Sequence, residues 1–203
     1  MLCETTARLT LGDVLREKSM PQPEAIAIED GTLQYNHAQF NERVNRLANH
    51  LEEAGIEHGD RIAVLSENCI AYIEIVYAAA KRGAILCALN WRLSASELEH
   101  CVTLATPKLT FLSDRFAADF TAIDTGGGTT IRIGEAYETI LAENSPSEPE
   151  ISAQPEDGLL IIYTSGTTGL PKGALISHRA ELARMQVSCI DLGLTRDGVF
   201  VAW

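Results

Sequence analysis

The sequence predicts an α/β fold: a mainly parallel sheet with flanking helices, preceded by an N-terminal hairpin. Three observations predict it. Short apolar runs alternate with stretches of helical period between Arg61 and Ser113. Glycine or proline punctuates each helical stretch, at Gly55, Gly83 and Pro107. The first such stretch follows two short alternating runs that flank Asp30-Gly31, a pair suited to a tight hairpin turn.

Taken in order, "AIAIEDGTLQY" (Ala25 to Tyr35) reads as the hairpin, with Asp30-Gly31 at the centre of a type I′ turn. A helix follows. Phe40, Val44, Leu47, Leu51 and Ala54 recur at spacings of four and three and share one face. Asn36 can cap its start, and Gly55 can close its end in the left-handed conformation. "RIAVLS" (Arg61 to Ser66) reads as a buried strand, Ile70 to Arg82 as a helix ended by Gly83, and "AILCAL" (Ala84 to Leu89) as a second strand. Ser94 and Glu97 form an S-x-x-E capping box for a helix to about Ala105. "KLTFLS" (Lys108 to Ser113) reads as a third strand.

Gly126 to Gly128 mark a loose turn. The Pro-, Ser- and acid-rich run Glu143 to Asp157 reads as a surface connection, either a domain linker or a long loop. "LLIIY" (Leu159 to Tyr163) is the next strand, and "GALIS" (Gly173 to Ser177) another, with Ser177 a good N-cap for a closing helix. "VFVAW" (Val199 to Trp203) reads as a last strand with no visible partner.

Composition excludes several functions. Apolar residues make up 46 % and charged residues 22 % of 203, as in a globular protein with a real core. A net charge of −12 argues against general nucleic-acid binding, which needs a basic face. It leaves small anions open, since a local cluster of donors suffices for a phosphate. Cys3, Cys69, Cys87, Cys101 and Cys189 are odd in number and widely spaced, with no C-x-x-C. A disulfide framework or zinc site is not expected, and a reducing, cytoplasmic setting fits. The N-terminus has no signal-peptide h-region. The longest mostly apolar stretch, Ala71 to Ala80, contains Glu74 and is too short to span a bilayer.

Between the last two internal strands stands "YTSGTTGLPKG", Tyr163 to Gly173. Glycines let successive backbone N–H groups point into one concavity, an anion-binding nest. Thr164, Ser165, Thr167 and Thr168 add neutral hydroxyl donors, and Lys172 one mobile charge. Such a set suits a polyphosphate that arrives with magnesium and later leaves. It differs from the G-x-x-x-x-G-K-[ST] loop, which opens a helix. Here no Ser or Thr follows Lys172, and a strand comes next. The loop is expected to join two strands and bind without a helix dipole. The blander reading is a Gly/Thr-rich surface turn.

"YTSGTTGLPKGALISHR" closely resembles the signature of the adenylate-forming, AMP-binding superfamily, which includes acyl-CoA synthetases and acid–CoA ligases. "PEAIAIEDGTLQYNHAQFNERVNRLANHL" and "GDRIAVLSENCIAYIEIVYAAAKRGAILCALNWRLSASELEHCV" resemble its opening hairpin, first helix and following units. The resemblance is weakest from Arg115 to Glu156. "ALNWRLSASEL", with Asn90, Arg92 and Leu93, resembles the "LN-x-RL" form of ligases acting on fatty or aromatic acids.

The resemblance implies a carboxylic acid as substrate, ATP, Mg²⁺, and CoA as co-substrate. A carboxylate attacks the α-phosphorus of ATP, and a thiol then takes the acyl group. It further implies that Thr164, Ser165, Gly166, Thr167, Thr168, Gly169 and Lys172 hold the pyrophosphate portion, with Thr164 helping to position the metal. The family's Y-G-x-T-E motif, ribose-binding aspartate and adenylation lysine do not occur in this sequence. No catalytic residue is therefore assigned to it. The expectation is a partial large N-terminal domain over 1–203, an incomplete N-terminal domain of the fold without the C-terminal domain, inactive by itself. It would meet a complementing C-terminal part or pair as a homodimer through open sheet edges. The alternatives are an acyl-adenylate-forming enzyme with another acceptor, and an inactive nucleotide- or partner-binding fragment.

Other polar residues have bland readings. His178 and Arg179 read as capping or surface residues. His37, His50, His58 and His100 read as solvated, as does the Glu52-Glu53, Glu57, Asp60 run. Tyr72, Tyr77 and Phe40 read as core, Cys87 as a small apolar residue, and Trp91-Arg92 as a packing pair at a helix start.

Overall fold

The structure is a computed structural model that describes residues 8–164, 169–195, 198, 199 and 201. Helix α1 (Leu11–Ser19) comes first, then strands β1 (Ile26–Glu29) and β2 (Gln34–Asn36). Helix α2 (His37–Glu53), β3 (Arg61–Leu65), α3 (Ile70–Arg82), β4 (Ile85–Ala88), α4 (Ala95–Ala105) and β5 (Leu109–Ser113) follow. A 3₁₀ turn (Asp114–Phe116) leads into short α5 (Ala117–Phe120), then β6 (Thr129–Ile133) and α6 (Glu135–Glu143). The last elements are β7 (Gly158–Thr164), β8 (Lys172–Ser177) and α7 (His178–Asp191).

Strands β1 and β2 pair antiparallel as a separate ribbon, and the other six form one sheet of order β6-β5-β3-β4-β7-β8. All its pairings are parallel except β7 with β8. The α/β class, the mainly parallel sheet and the N-terminal hairpin follow the sequence reading. Because β7 pairs with β4, the run Glu143 to Asp157 is a loop within one sheet, not a domain linker.

The sheet is sealed on two sides by period-2 alternation. Ile62, Val64, Leu86, Leu109 and Phe111 meet α2, α3 and α6 in one core cluster. Ala63, Leu65, Cys87 and Leu112 meet Leu98, Cys101 and Val102 of α4 in a second. Cys87 is fully buried and packs as an apolar residue, its thiol pushed by burial to a pKa of about 12. Helix α2 begins at the expected cap: Asn36 accepts from Gln39 N at 2.8 Å, and Gln39 Oε1 accepts from Asn36 N at 3.0 Å. Ser94 with Glu97 caps α4, and Gly83 ends α3 in the left-handed region at φ 72°. Phe40 is buried, and Tyr72 and Tyr77 pack against the same core.

Several expectations need correction. The hairpin turn is shifted by one residue: Asp30 N donates to Leu33 O, so Gly31 and Thr32 are central. Only Gly31 has positive φ, at 85°, so a type I′ turn, which needs two, is not formed. Asp30 instead accepts from Thr32 N and Leu33 N. Ala54 falls at the C-cap and is exposed, off the buried face of α2. Asp60 is no free surface charge: it accepts from Glu57 N at 2.8 Å and from Lys108 Nζ at 2.5 Å. In "VFVAW", Val199 and Val201 are not in a strand, and the remaining residues lie outside the described ones.

Four features have no counterpart in the sequence reading. Helix α1 is capped by a Thr10–Asp13 box. Strand β6 extends the sheet as an edge strand beside β5, and α6 packs into the core with Tyr137 and Leu141 buried. Fully buried Glu74 is held by Arg43 Nε at 2.5 Å and the Tyr137 hydroxyl at 2.7 Å. Fully buried Lys81 donates to Asn45 Oδ1, Asn41 Oδ1 and Glu148 Oε1. The irregular loop carrying Glu148 is thereby pinned to the helical layer. An uncompensated buried charge would be strongly destabilising.

Candidate functional site

The β7–β8 hairpin presents the candidate loop at the carboxyl end of β7. Tyr163 pairs with Gly173 and Thr164 with Lys172, so residues 165–171 connect two antiparallel strands. A strand, not a helix, follows Lys172, as the sequence predicts, and no helix dipole is available there. Of the seven sequence-predicted residues, Thr164, Gly169 and Lys172 fall within the described residues. Ser165, Gly166, Thr167 and Thr168 lie outside them.

Local chemistry explains why the loop starts and ends where it does. Gly169 has φ of +93° and open space where a Cβ would stand; only glycine takes that conformation without strain. Gly173 serves a different need, since a Cβ there would come within 3.0 Å of Ile161 Cγ2 across the ladder. Thr164 Oγ1 is 3.5 Å from Lys172 O, the outer limit of a hydrogen bond. That hydroxyl is exposed and weakly held, ready to exchange its partner. Lys172 is exposed too, and among the described residues no carboxylate pairs with it.

Two adjacent residues of α4 brace the loop's flanks. The Tyr163 hydroxyl donates to Cys101 O at 3.0 Å, and burial raises the phenol's pKa well above its ordinary value, so it stays a donor. His100 Nε2 lies 3.1 Å from the carbonyl oxygen of buried Pro171. One strand is thus tied through Tyr163 and the other through Pro171, leaving Thr164 and Lys172 opposite each other at the open end. His100 is therefore a half-buried brace rather than a solvated residue. Its spacing with Cys101 and the loop is invisible in sequence, because the contacts cross more than sixty residues.

His178, at the far end of β8, also departs from its surface reading. It is fully buried, and its Nδ1 accepts from Leu11 N at 3.2 Å. Burial lowers its pKa, although the Asp157 and Asp13 carboxylates oppose this. It fastens α1 to the start of α7. Arg179 does lie on the surface, paired with Glu156. His58 bonds Asp157 at 2.7 Å, while burial lowers the pKa of half-buried His37 and His50.

The chain matches the AMP-binding enzyme family over residues 15–203 and belongs to that family. It is 35 % identical over 165 residues to the fatty acid–[acyl-carrier-protein] ligase ScoC of Streptomyces coeruleorubidus, covering 80 % of this chain and 31 % of that one. It is 33 % identical over 191 residues to the long-chain-fatty-acid–CoA ligase FadD13 of Mycobacterium tuberculosis, covering 90 % and 38 %. The inhibitor-bound N-terminal domain of FACL13 from Mycobacterium tuberculosis superposes with a TM-score of 0.78 at 31 % identity, covering 83 % of this chain and 44 % of that one. The chain thus spans about a third of the length of the curated relatives it matches. Among the described residues no helix is long and apolar enough to cross a membrane.

Proposed function

We propose that this chain is the N-terminal portion, a partial large domain over 1–203, of an ATP-dependent ligase that activates a fatty or aromatic carboxylic acid as acyl-adenylate and passes it to CoA. The β7–β8 hairpin carries the reading: an exposed hydroxyl and an ammonium without a carboxylate partner among the described residues stand opposite each other at the ends of a glycine-bearing loop. In that reading Thr164, Ser165, Gly166, Thr167, Thr168, Gly169 and Lys172 hold the β- and γ-phosphates of ATP. Backbone and hydroxyl donors supply geometry, and Lys172 supplies the one compact charge. A few neutral donors with a single cation release pyrophosphate more readily than an arginine cluster would.

Magnesium fits the site as an ion shared with the substrate. Mg²⁺ takes six oxygens and keeps several waters, with one or two protein ligands beside phosphate oxygens. Thr164 Oγ offers one such oxygen, and no group of three or more acidic, His or Cys side chains stands ready among the described residues. When bound, the ion would neutralise phosphate charge, and Thr164 would help to hold it.

The acceptor has a second reading that a specific observation favours. ScoC, whose name gives an acyl-carrier protein as acceptor, is as similar to this chain as the CoA ligases are. In this reading the thiol is chosen by sequence that these residues do not include, and both acceptors belong in the assay. The same proposal places the chain in the cytoplasm and leaves its adenylation activity dependent on a complementing C-terminal part.

Carboxylate-dependent exchange of label between pyrophosphate and ATP tests this. The isolated chain is expected to give background exchange. A polypeptide extended by a C-terminal part to the relatives' length is expected to give exchange that Lys172→Ala lowers. Robust exchange by the isolated chain would overturn the partial-domain reading. Exchange by the extended chain that ignores Lys172→Ala would overturn the loop assignment.

A further inference from the structure

A second site, built from other loops, stands on the same edge of the sheet as the β7–β8 hairpin. The chain runs from β3 through α3 to β4 on one side, then through α4 back across β3 to β5 on the other. The direction of winding therefore reverses between β3 and β5. In open α/β sheets ligands bind in the crevice outside the carboxyl ends of the strands at such a reversal. A cleft of about 380 Å³ lies there, lined by Leu65 at the end of β3, Trp91 and Leu93 beyond β4, and Phe116 beyond β5.

The cleft has an unusual rim. Trp91 and Phe116 stack, with ring centroids 5.9 Å apart and planes 19° apart. The Arg92 guanidinium lies 4.9 Å from the Trp91 ring, and that of Arg115 lies 5.1 Å from Trp91 and 5.3 Å from Phe116. Both arginines are exposed, and among the described residues neither makes an ion pair. In a chain of net charge −12, two guanidiniums at one aromatic pair, without an ion pair among the described residues, are a local concentration of positive charge. The Glu67 carboxylate feels the Arg115 charge but forms no ion pair with it, and accepts from Ser113 Oγ at 2.7 Å. Asp119 also lines the cleft, so a negative group is expected to sit toward the two guanidiniums at Trp91 and Phe116. The helix start beside the cleft is not free either, because Glu97 Oε2 accepts from Ser94 N and Oγ.

We propose that this cleft binds a flat aromatic or heteroaromatic anion, its ring against Trp91 and Phe116 and its negative group at Arg92 and Arg115. Apolar walls with few placed polar groups are the usual makeup of small-ligand sites of this volume. Guanidiniums stacked on aromatic faces keep their N–H edges free to grip a carboxylate or phosphate bidentately. The site is independent of the pyrophosphate loop and of the proposed ligase activity. Two ligand sources share this chemistry, an aryl carboxylate and a purine nucleotide.

The test uses the full chain carrying Trp203→Phe, so that Trp91 is its one indole. Its fluorescence is titrated with 2-naphthoate, with AMP and with uncharged 2-naphthamide. The inference expects saturable quenching by at least one anion, with naphthamide at least ~10-fold weaker than naphthoate if naphthoate binds. It also expects Arg115→Gln and Arg92→Gln to weaken the anion by ~10-fold while melting temperatures stay put, since both side chains are exposed. Tighter binding of naphthoate assigns an aryl acid, and tighter binding of AMP a nucleotide. Equal binding of naphthoate and naphthamide, indifference to both arginine variants, loss with Lys172→Gln instead, or no saturable quenching would each overturn it.

Discussion

The interior of the sheet and its β8 edge are built to different specifications. Around β3, β5 and α3 the packing is close: β5 is buried throughout, and α3 buries even Glu74 and Lys81. At β8 and α7 the same kinds of residue lie open. Leu175 is 59 % and Ile190 79 % exposed, and only His178 and Glu181 of α7 are buried. The candidate loop sits at the open end. A packed scaffold fixes the position of the hairpin, while thin packing beyond it leaves its hydroxyl and ammonium accessible. Loops on a rigid frame are where binding groups concentrate.

The contrast breaks most visibly by truncation. Phe111→Ala, which empties a fully buried site on the central sheet, is expected to lower stability by ~3–5 kcal/mol. Leu175→Ala is expected to change it by no more than ~0.5 kcal/mol. Denaturant melts of both would measure the gap, and similar losses would contradict the contrast between sealed interior and open edge.

Glycine substitutions sharpen it. Gly83 and Gly169 both have positive φ, 72° and 93°. An added Cβ at Gly83 would come within 2.7 Å of His58 Cδ2 and 3.0 Å of Ser152 Oγ, but at Gly169 it meets nothing. Gly83→Ala should then destabilise by ~2–3 kcal/mol, strain plus clash, and Gly169→Ala by ~1 kcal/mol, strain alone. Thermal unfolding of the two variants gives the comparison directly.

Much of this architecture was legible in the sequence, for identifiable reasons. Helices α2 and α3 and strands β3 to β5 carry strong apolar periods with caps at Asn36, Ser94 and Gly83, so local and global signals agree. Strand β6 and α6 were missed because "TTIRI" is half-exposed and reads as polar, although Tyr137 and Leu141 stand four apart. Helix α1 has its signal too, a Thr10-x-x-Asp13 box before Leu11 and Leu15, but its apolar stripe is narrow. The loop motif was legible as composition. Its bracing by His100 and Cys101 was not, nor the burial of His178, because each depends on contacts between distant segments.

His178 gives a smaller, pH-dependent effect. As an acceptor for Leu11 N it must be neutral at Nδ1, and its folded pKa is lowered by burial. A group held below its unfolded value near 6.5 disfavours protonation in the fold. Stability is therefore full above that value and falls as pH drops below it, by on the order of 1 kcal/mol, the worth of one hydrogen bond. Half-buried His37 and His50 act with the same sign. Carboxylates such as Asp60, lowered against its burial by Lys108 and Glu57 N, lose their contribution only below about pH 4, a separate window. Unfolding free energy should drop between pH 7 and 5, and less so in His178→Gln, which can still accept from Leu11. An unchanged profile would remove His178 from the account.

The central claim is that the open β7–β8 hairpin holds pyrophosphate through Lys172 and neutral donors. Calorimetric titration of the chain with magnesium pyrophosphate tests it most directly. The account predicts saturable binding that weakens ~10-fold or more in Lys172→Ala, the loss of a charge-assisted contact, with no change in melting temperature. Equal affinity in the wild type and Lys172→Ala, or no binding by the folded wild-type chain, would contradict it.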